Sequence, residues 1–183
     1  MATEKSEWNK EFSYKGDFLL DQFIELVSRW LKSKGFVKSN EDLDESYYMY
    51  EELPDGSVNL SFIWKVENKS GDFVKRIEIR YTIVALKKAE IIYNNQKINV
   101  DVGEIGVALK GNIEFDPDEK LINTWWKKKF YDIFWKPKYG AYFKSNKDDF
   151  FKDLDKLYSM MLAFFEIEGS ISDIKIRVKG YKE

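Results

Sequence analysis

VNLSFIWKVENKSGDFVKRIEIRYTIVAL, residues 58–86, decides the fold class. Between Val58 and Glu67, the apolar Leu60, Phe62, Trp64 and Val66 alternate with Ser61 and Lys65. Between Phe73 and Leu86, Ile77, Ile79, Tyr81, Ile83 and Ala85 alternate with Arg76, Glu78, Arg80 and Thr82. Successive side chains of a strand point to opposite faces, so this two-residue period predicts two strands, each with one apolar and one wet face. A turn over Asn68–Asp72 joins them as an antiparallel hairpin. Arg76, Glu78 and Arg80 share the wet face, with Lys110 and Glu114 nearby on a later strand, and cross-strand charge pairs are expected there.

Working outward, Ser46–Glu52 reads as a strand that Pro54-Asp55-Gly56 turns into the hairpin: proline presets the first dihedral and glycine accepts a positive one. Ala89–Tyr93 and Lys97–Val102 flank Asn94-Asn95, and Glu104–Phe115 reads as the last strand of the meander. Upstream, Glu11–Lys15 predicts a short edge strand. Gly16 and Asp17 then announce a helix over Phe18–Lys34, where Leu20, Phe23, Ile24, Val27, Trp30 and Leu31 recur at helical spacing and Gly35 stands at the C-cap. Downstream, Asp116-Pro117 closes the sheet and a second helix runs from Asp118 to about Trp135, broken by Pro137 and Gly140. Ser145 with Asp148 resembles a capping box for a third helix, Asn146–Glu168, and Ser172–Val178 predicts a closing strand. The expectation is one α+β domain over residues 1–183: an antiparallel meander sheet of about five strands with three helices packed on one face.

Composition narrows the chemistry. The 183 residues contain no cysteine and no histidine, which excludes disulfides, thiolate nucleophiles, imidazole bases and the usual zinc ligand sets. No cofactor or metal is expected. The start MATEKSEWNK lacks the apolar core of a secretory signal, and no run of about 18 apolar residues occurs, so a cytoplasmic protein is expected. A catalyst of this composition would use carboxylates, lysine, tyrosine or serine. With 32 acidic residues, carboxylate pairs arise by chance, and no phosphate loop or nucleophile elbow accompanies them.

One segment stands out. Residues 120–144 carry three of the six tryptophans and seven lysines against the single acid Asp132, a local charge of +6 in a chain whose total is -2. On a helix, Ile122, Trp126, Phe130, Ile133 and Phe134 form one core-facing stripe. Trp125, Tyr131 and Trp135 fall off that stripe. Either they are covered by the last helix, or they form an exposed patch ringed by Lys127, Lys128, Lys129, Lys136, Lys138 and Lys144 and continued by Tyr139 and Tyr142. Such rings and ammonium groups suit a contact with an anionic or amphipathic surface. A complement exists within the chain: residues 39–55 hold seven acids, no base, and Tyr47, Tyr48 and Tyr50.

FLLDQFIELVSRWLKSKGF, ESYYMYEELPDGSVNLSFIWKVE and RIEIRYTIVALKKAEIIYNNQKINVDVGEIGVALKG together give the chain a layout that resembles a group of small uncharacterised archaeal proteins, over about residues 12–165. The resemblance implies an archaeal, intracellular origin and no activity or site residues. The functional expectation therefore rests on the residues: a non-enzymatic interaction or assembly protein that uses the basic aromatic segment as its contact surface, with a protein partner or self-association into a homo-oligomer. The alternative is a peripheral binder of anionic membrane surfaces, and the third reading is a carboxylate-dependent hydrolase. Nucleic acid ranks lower because the sequence pI of about 5.5 is not that of a basic binding domain. No small-molecule ligand is indicated.

Overall fold

The computed structural model describes residues 5–38, 43, 45–93, 96–115, 136–168 and 175–177. Strands β1 (Lys5–Phe18), β2 (Glu45–Glu52), β3 (Val58–Ser70), β4 (Phe73–Tyr93), β5 (Gln96–Phe115) and β6 (Lys175–Arg177) form one sheet in the order β2-β3-β4-β5-β1-β6. Every pairing is antiparallel, and β2 to β5 make the expected meander. Two helices occur among the described residues, α1 (Leu20–Ser33) and α2 (Lys136–Glu168). The protein is α+β with the expected antiparallel meander sheet, and six strands occur among the described residues. The expected helix over 118–135 lies outside the described residues.

Core placement follows the alternation of residues 58–86. Phe62, Trp64, Ile77, Ile79, Tyr81 and Ile83 are buried on the same side as Ile105, Val107, Leu109 and Ile113 of β5. Both helices cover that side: α1 through Phe23, Val27 and Leu31, and α2 through Phe150, Leu154, Leu157, Met161 and Phe165. Phe165 is the hinge of the layer, with its ring 4.9 Å from Tyr14, 5.6 Å from Phe12 and 4.8 Å from Phe23. The sheet and α2 approach closely at Gly111, where an added Cβ would lie 2.1 Å from Leu154 Cδ1.

Several boundaries differ from the sequence reading, each for a physical reason. The short edge strand expected over Glu11–Lys15 is a 14-residue strand paired with β5 along its length. Its apolar alternation, Trp8, Phe12 and Tyr14, is interrupted because Lys10 occupies a helix-facing position. There its ammonium group meets Asp155 of α2 at 2.6 Å and lies 5.4 Å and 5.1 Å from the rings of Trp8 and Tyr158. Gly16 and Asp17 belong to β1 and do not begin the helix. Phe73–Leu86 and Ala89–Tyr93 are one strand, as are Lys97–Val102 and Glu104–Phe115. Between Val84 and Lys87, two residues face Gly103 alone, with Ala85 at a φ of 54°. This bulge shifts the phase of the alternation, which reads as a strand end in the sequence.

Pro137 and Gly140 both lie inside α2, which starts ten residues before the expected Asn146, while the helix they were expected to end lies outside the described residues. Proline is tolerated in the first turn, where its missing N–H has no carbonyl to meet. Ser145 and Asp148 are therefore interior positions and form no cap. Other signals hold as expected. Gly35 has a φ of 72°, its N–H donates to the Lys32 carbonyl and that of Phe36 to Leu31, which closes α1 in the double-bonded manner of a Schellman motif. Gly56 takes a φ of 76° in the Pro54-Asp55-Gly56 turn.

Candidate functional site: an acidic tyrosine edge and a charged sheet face

The helices cover β1, β5, β4 and the inner part of β3, and stop short of β2. All eight residues of β2, ESYYMYEE, are exposed, Tyr48 and Tyr50 to 56% each, although they stand opposite Phe62 and Leu60 on the helix side of the sheet. Tyr47 and Met49 are exposed on the other side. Among the described strands β2 pairs only with β3, and none lies on its outer side. Glu45, Glu51 and Glu52 give the edge negative charge with no base among its residues. Beyond the following turn, Asp55 is held well below the usual carboxylate range by a hydrogen bond from Lys87, whose Nζ lies 2.8 Å away, and by those from the Ser57 hydroxyl and N–H.

The second feature is the open face of the sheet. Arg76 donates to Glu67 at 2.6 Å and to Glu114, so the guanidinium bridges β3 to β5. Its hydrogen bonds lower the pKa of Glu67 and are matched by a raised value for Arg76, with the Glu114 bond the larger cause. Lys65 and Arg80 flank Glu78 at 3.8 Å and 3.6 Å. Glu7, Asn9, Lys110 and Asn112 complete a shallow depression of about 400 Å³ with Lys65, Glu67, Arg76 and Glu78. Its carboxylates are drawn into ladders with cations, as the cross-strand reading expected.

A third polar cluster supports the fold. Asp101 of β5 is 3% exposed; its Oδ2 accepts the Leu20 N–H at 3.1 Å and its Oδ1 pairs with Lys88 at 2.8 Å. The first turn of α1 has Leu19 at its N-cap and no side-chain cap of its own, so a strand residue supplies the acceptor.

Of the residues assigned to a contact surface from sequence, Trp125, Lys127, Lys128, Lys129, Tyr131 and Trp135 lie outside the described residues. Lys136, Lys138 and Tyr139 fall in the first turn of α2. Tyr142 follows them, 52% exposed, with its ring edge-on to Phe73 at 5.1 Å. The exposure of β2 was the feature the sequence reading underused. Its signal is the run Tyr47-Tyr48-Met49-Tyr50, which commits apolar bulk to both faces of a strand and so marks a position that no layer covers.

No family model matches the chain, and no curated protein does. Among the described residues no cluster of acidic groups could hold a metal ion, and no helix is long and apolar enough to cross a membrane.

Proposed function

We propose that this chain is a non-enzymatic interaction or assembly protein that contacts another copy of itself through the basic aromatic segment 120–144. The observation that carries the reading is that every residue of β2 is exposed, which offers three tyrosines and three glutamates with no base to the surroundings. Rings on such a surface bury large area with few rotatable bonds to freeze, and opposite charge guides the encounter. The segment's +6 complements the seven acids of residues 39–55.

Sedimentation velocity over a concentration series tests this. The wild type should show an average mass that rises with concentration, and Lys127→Glu/Lys128→Glu/Lys129→Glu should weaken association by at least about tenfold, equivalent to 1.4 kcal/mol. The triple variant should keep its far-UV spectrum and thermal midpoint. A wild type that stays monomeric but pellets with phosphatidylserine vesicles, and not with phosphatidylcholine vesicles, would transfer the segment to membrane binding. Association that survives the triple change would remove the segment from the contact.

A further inference from the structure

The sheet face turned away from α1 and α2 is not charged throughout. Met49 of β2 stands opposite Ser61 of β3, Ser61 opposite Thr82 of β4, Thr82 opposite Gly106 of β5, and Gly106 opposite Ser13 of β1. Phe62, Tyr81, Ile105 and Phe12, their neighbours along the strands, are buried under the helices, so this row lies on the other face. It forms an uncharged band across five strands. Its side chains are mostly short, and the Ser61 hydroxyl already donates to the Tyr81 carbonyl at 3.0 Å. Bulky apolar groups lie in and beside the band: Met49 within it, Tyr47 and Val84 at its borders and Val102 one row farther, each between 39% and 47% exposed. Charge differs on its two sides. The two rows on one side hold Lys65, Arg80 and Lys110 against Glu11 and Glu78, a surplus of one positive charge; the row on the other holds Glu51 and Glu104 against Lys15, a surplus of one negative charge.

We propose that a second copy of this chain packs face to face on this band, related to the first by a two-fold axis that runs along the band and across the strands. The inference rests on the reading that the chain self-associates, and places a contact on this face in addition to, or in place of, segment 120–144. Charge selects both the occupant and the axis. Rotation about that axis turns one copy end for end along its strands, so the positive side of each lies over the negative side of the other, and Lys110 of one copy approaches Glu104 of the other. An axis parallel to the strands would set lysines over lysines. A polyanion would meet glutamates here as well as lysines, whereas the mixed pattern matches its own copy. Short side chains let two sheets close to about 10 Å with their strands nearly aligned, while Tyr47, Met49, Val84 and Val102 fill the space between. The area suffices: five strands about 4.8 Å apart, each followed for the length from Val102 to Lys110 at about 3.4 Å per residue, outline roughly 700 Å² per copy, close to the roughly 800 Å² per partner of a standard stable interface. Because both copies offer the same surface, this contact by itself closes at a dimer.

A charge exchange across the axis tests this by sedimentation velocity of the full chain. Lys110→Glu and Glu104→Lys should each weaken association by roughly tenfold, because each sets two like-charged contacts across the axis. The second should do so although it brings the net charge of the chain from -2 to zero. An equimolar mixture of the two should regain the wild-type affinity, since in the mixed dimer both contacts between positions 110 and 104 are again unlike pairs. Thr82→Arg, at an exposed position of the band, should abolish the contact while the far-UV spectrum and thermal midpoint stay unchanged. Should that variant unfold, the mixture decides alone. The inference is overturned if the mixture associates no better than its components, if Lys110→Glu alone strengthens association, or if a folded Thr82→Arg associates as the wild type does. Loss of association on changing Lys127, Lys128 and Lys129, with indifference to the face variants, would sink this inference and leave the contact through 120–144 standing. The converse pattern would keep the face-to-face contact and remove that segment, and a wild type monomeric at every concentration would end both.

Discussion

At Gly111 a single methyl group is too much. The Cβ it would add lies 2.1 Å from Leu154 Cδ1 and 3.4 Å from both Leu154 Cγ and Phe150 Cε1, all on the helix that closes the core. Leu154 is fully buried, so it has no solvent to move into. Overpacking of this kind costs about 1–3 kcal/mol, and Gly111→Ala should lower stability by that amount in urea unfolding. Leu154→Ala alone should cost about 2–5 kcal/mol through the cavity it leaves. In the double variant the new methyl group fills part of that cavity, so the two losses should fall short of additive by at least about 0.5 kcal/mol. Additive losses would mean that α2 shifts as a body to accommodate the alanine. Residue patterning alone gave no hint of this: Gly111 continues the odd-numbered apolar positions of Glu104–Phe115 as a missing side chain, and only the helix above it explains the omission.

Elements were legible where one period runs unbroken and illegible where a local device interrupts it. The hairpin of β3 and β4 and the helix α1 follow from alternation, three-and-four spacing and Gly35. β1 was shortened in the reading because Lys10 sits among its core positions, satisfied by Asp155 across the helix interface. β4 and β5 were each split because the bulge facing Gly103 changes phase. The extent of α2 was misread because proline and glycine resemble breakers, while Pro137 and Gly140 both lie inside the helix. The same hairpin carries Asp101, which caps α1 from another element and binds Lys88. The hydrogen bond from Lys88 to Asp101 raises the lysine above its ordinary 10.5. A cation with a raised folded value contributes stability fully below the unfolded value and loses it as pH rises through the folded one. Wild-type stability should therefore fall on the alkaline side of 10.5. Asp101→Asn should destabilise by about 1–3 kcal/mol at neutral pH, since a buried charged acceptor is lost, and should flatten the alkaline fall. Urea midpoints measured across that range check both parts; an unchanged alkaline slope would assign the fall to other groups.

Among the described residues, one face of the sheet carries the helices, the other carries ion-pair ladders, and β2 at one end carries glutamates with no base. The charge contrast between residues 39–55 and 120–144 was visible in the sequence; that β2 and β6 stand at opposite ends was not, because strand order places β1 between β5 and β6. For the self-association proposed above, the charge contrast between residues 39–55 and 120–144 predicts an electrostatically steered encounter. Exposed charges are screened over a Debye length of about 10 Å at 0.1 M salt and about 3 Å at 1 M. Steering acts before contact, so salt should slow encounter far more than it speeds separation. Stopped-flow light scattering between 0.05 M and 0.5 M sodium chloride should show the association rate constant falling by roughly tenfold, with dissociation changing by less than about twofold. A contact held mainly by apolar burial would show neither trend, since salt leaves the exposed tyrosines of β2 as ready to be covered as before. If dissociation quickens while association holds, the charges act only after docking, and the contrast between residues 39–55 and 120–144 plays no part in bringing copies together.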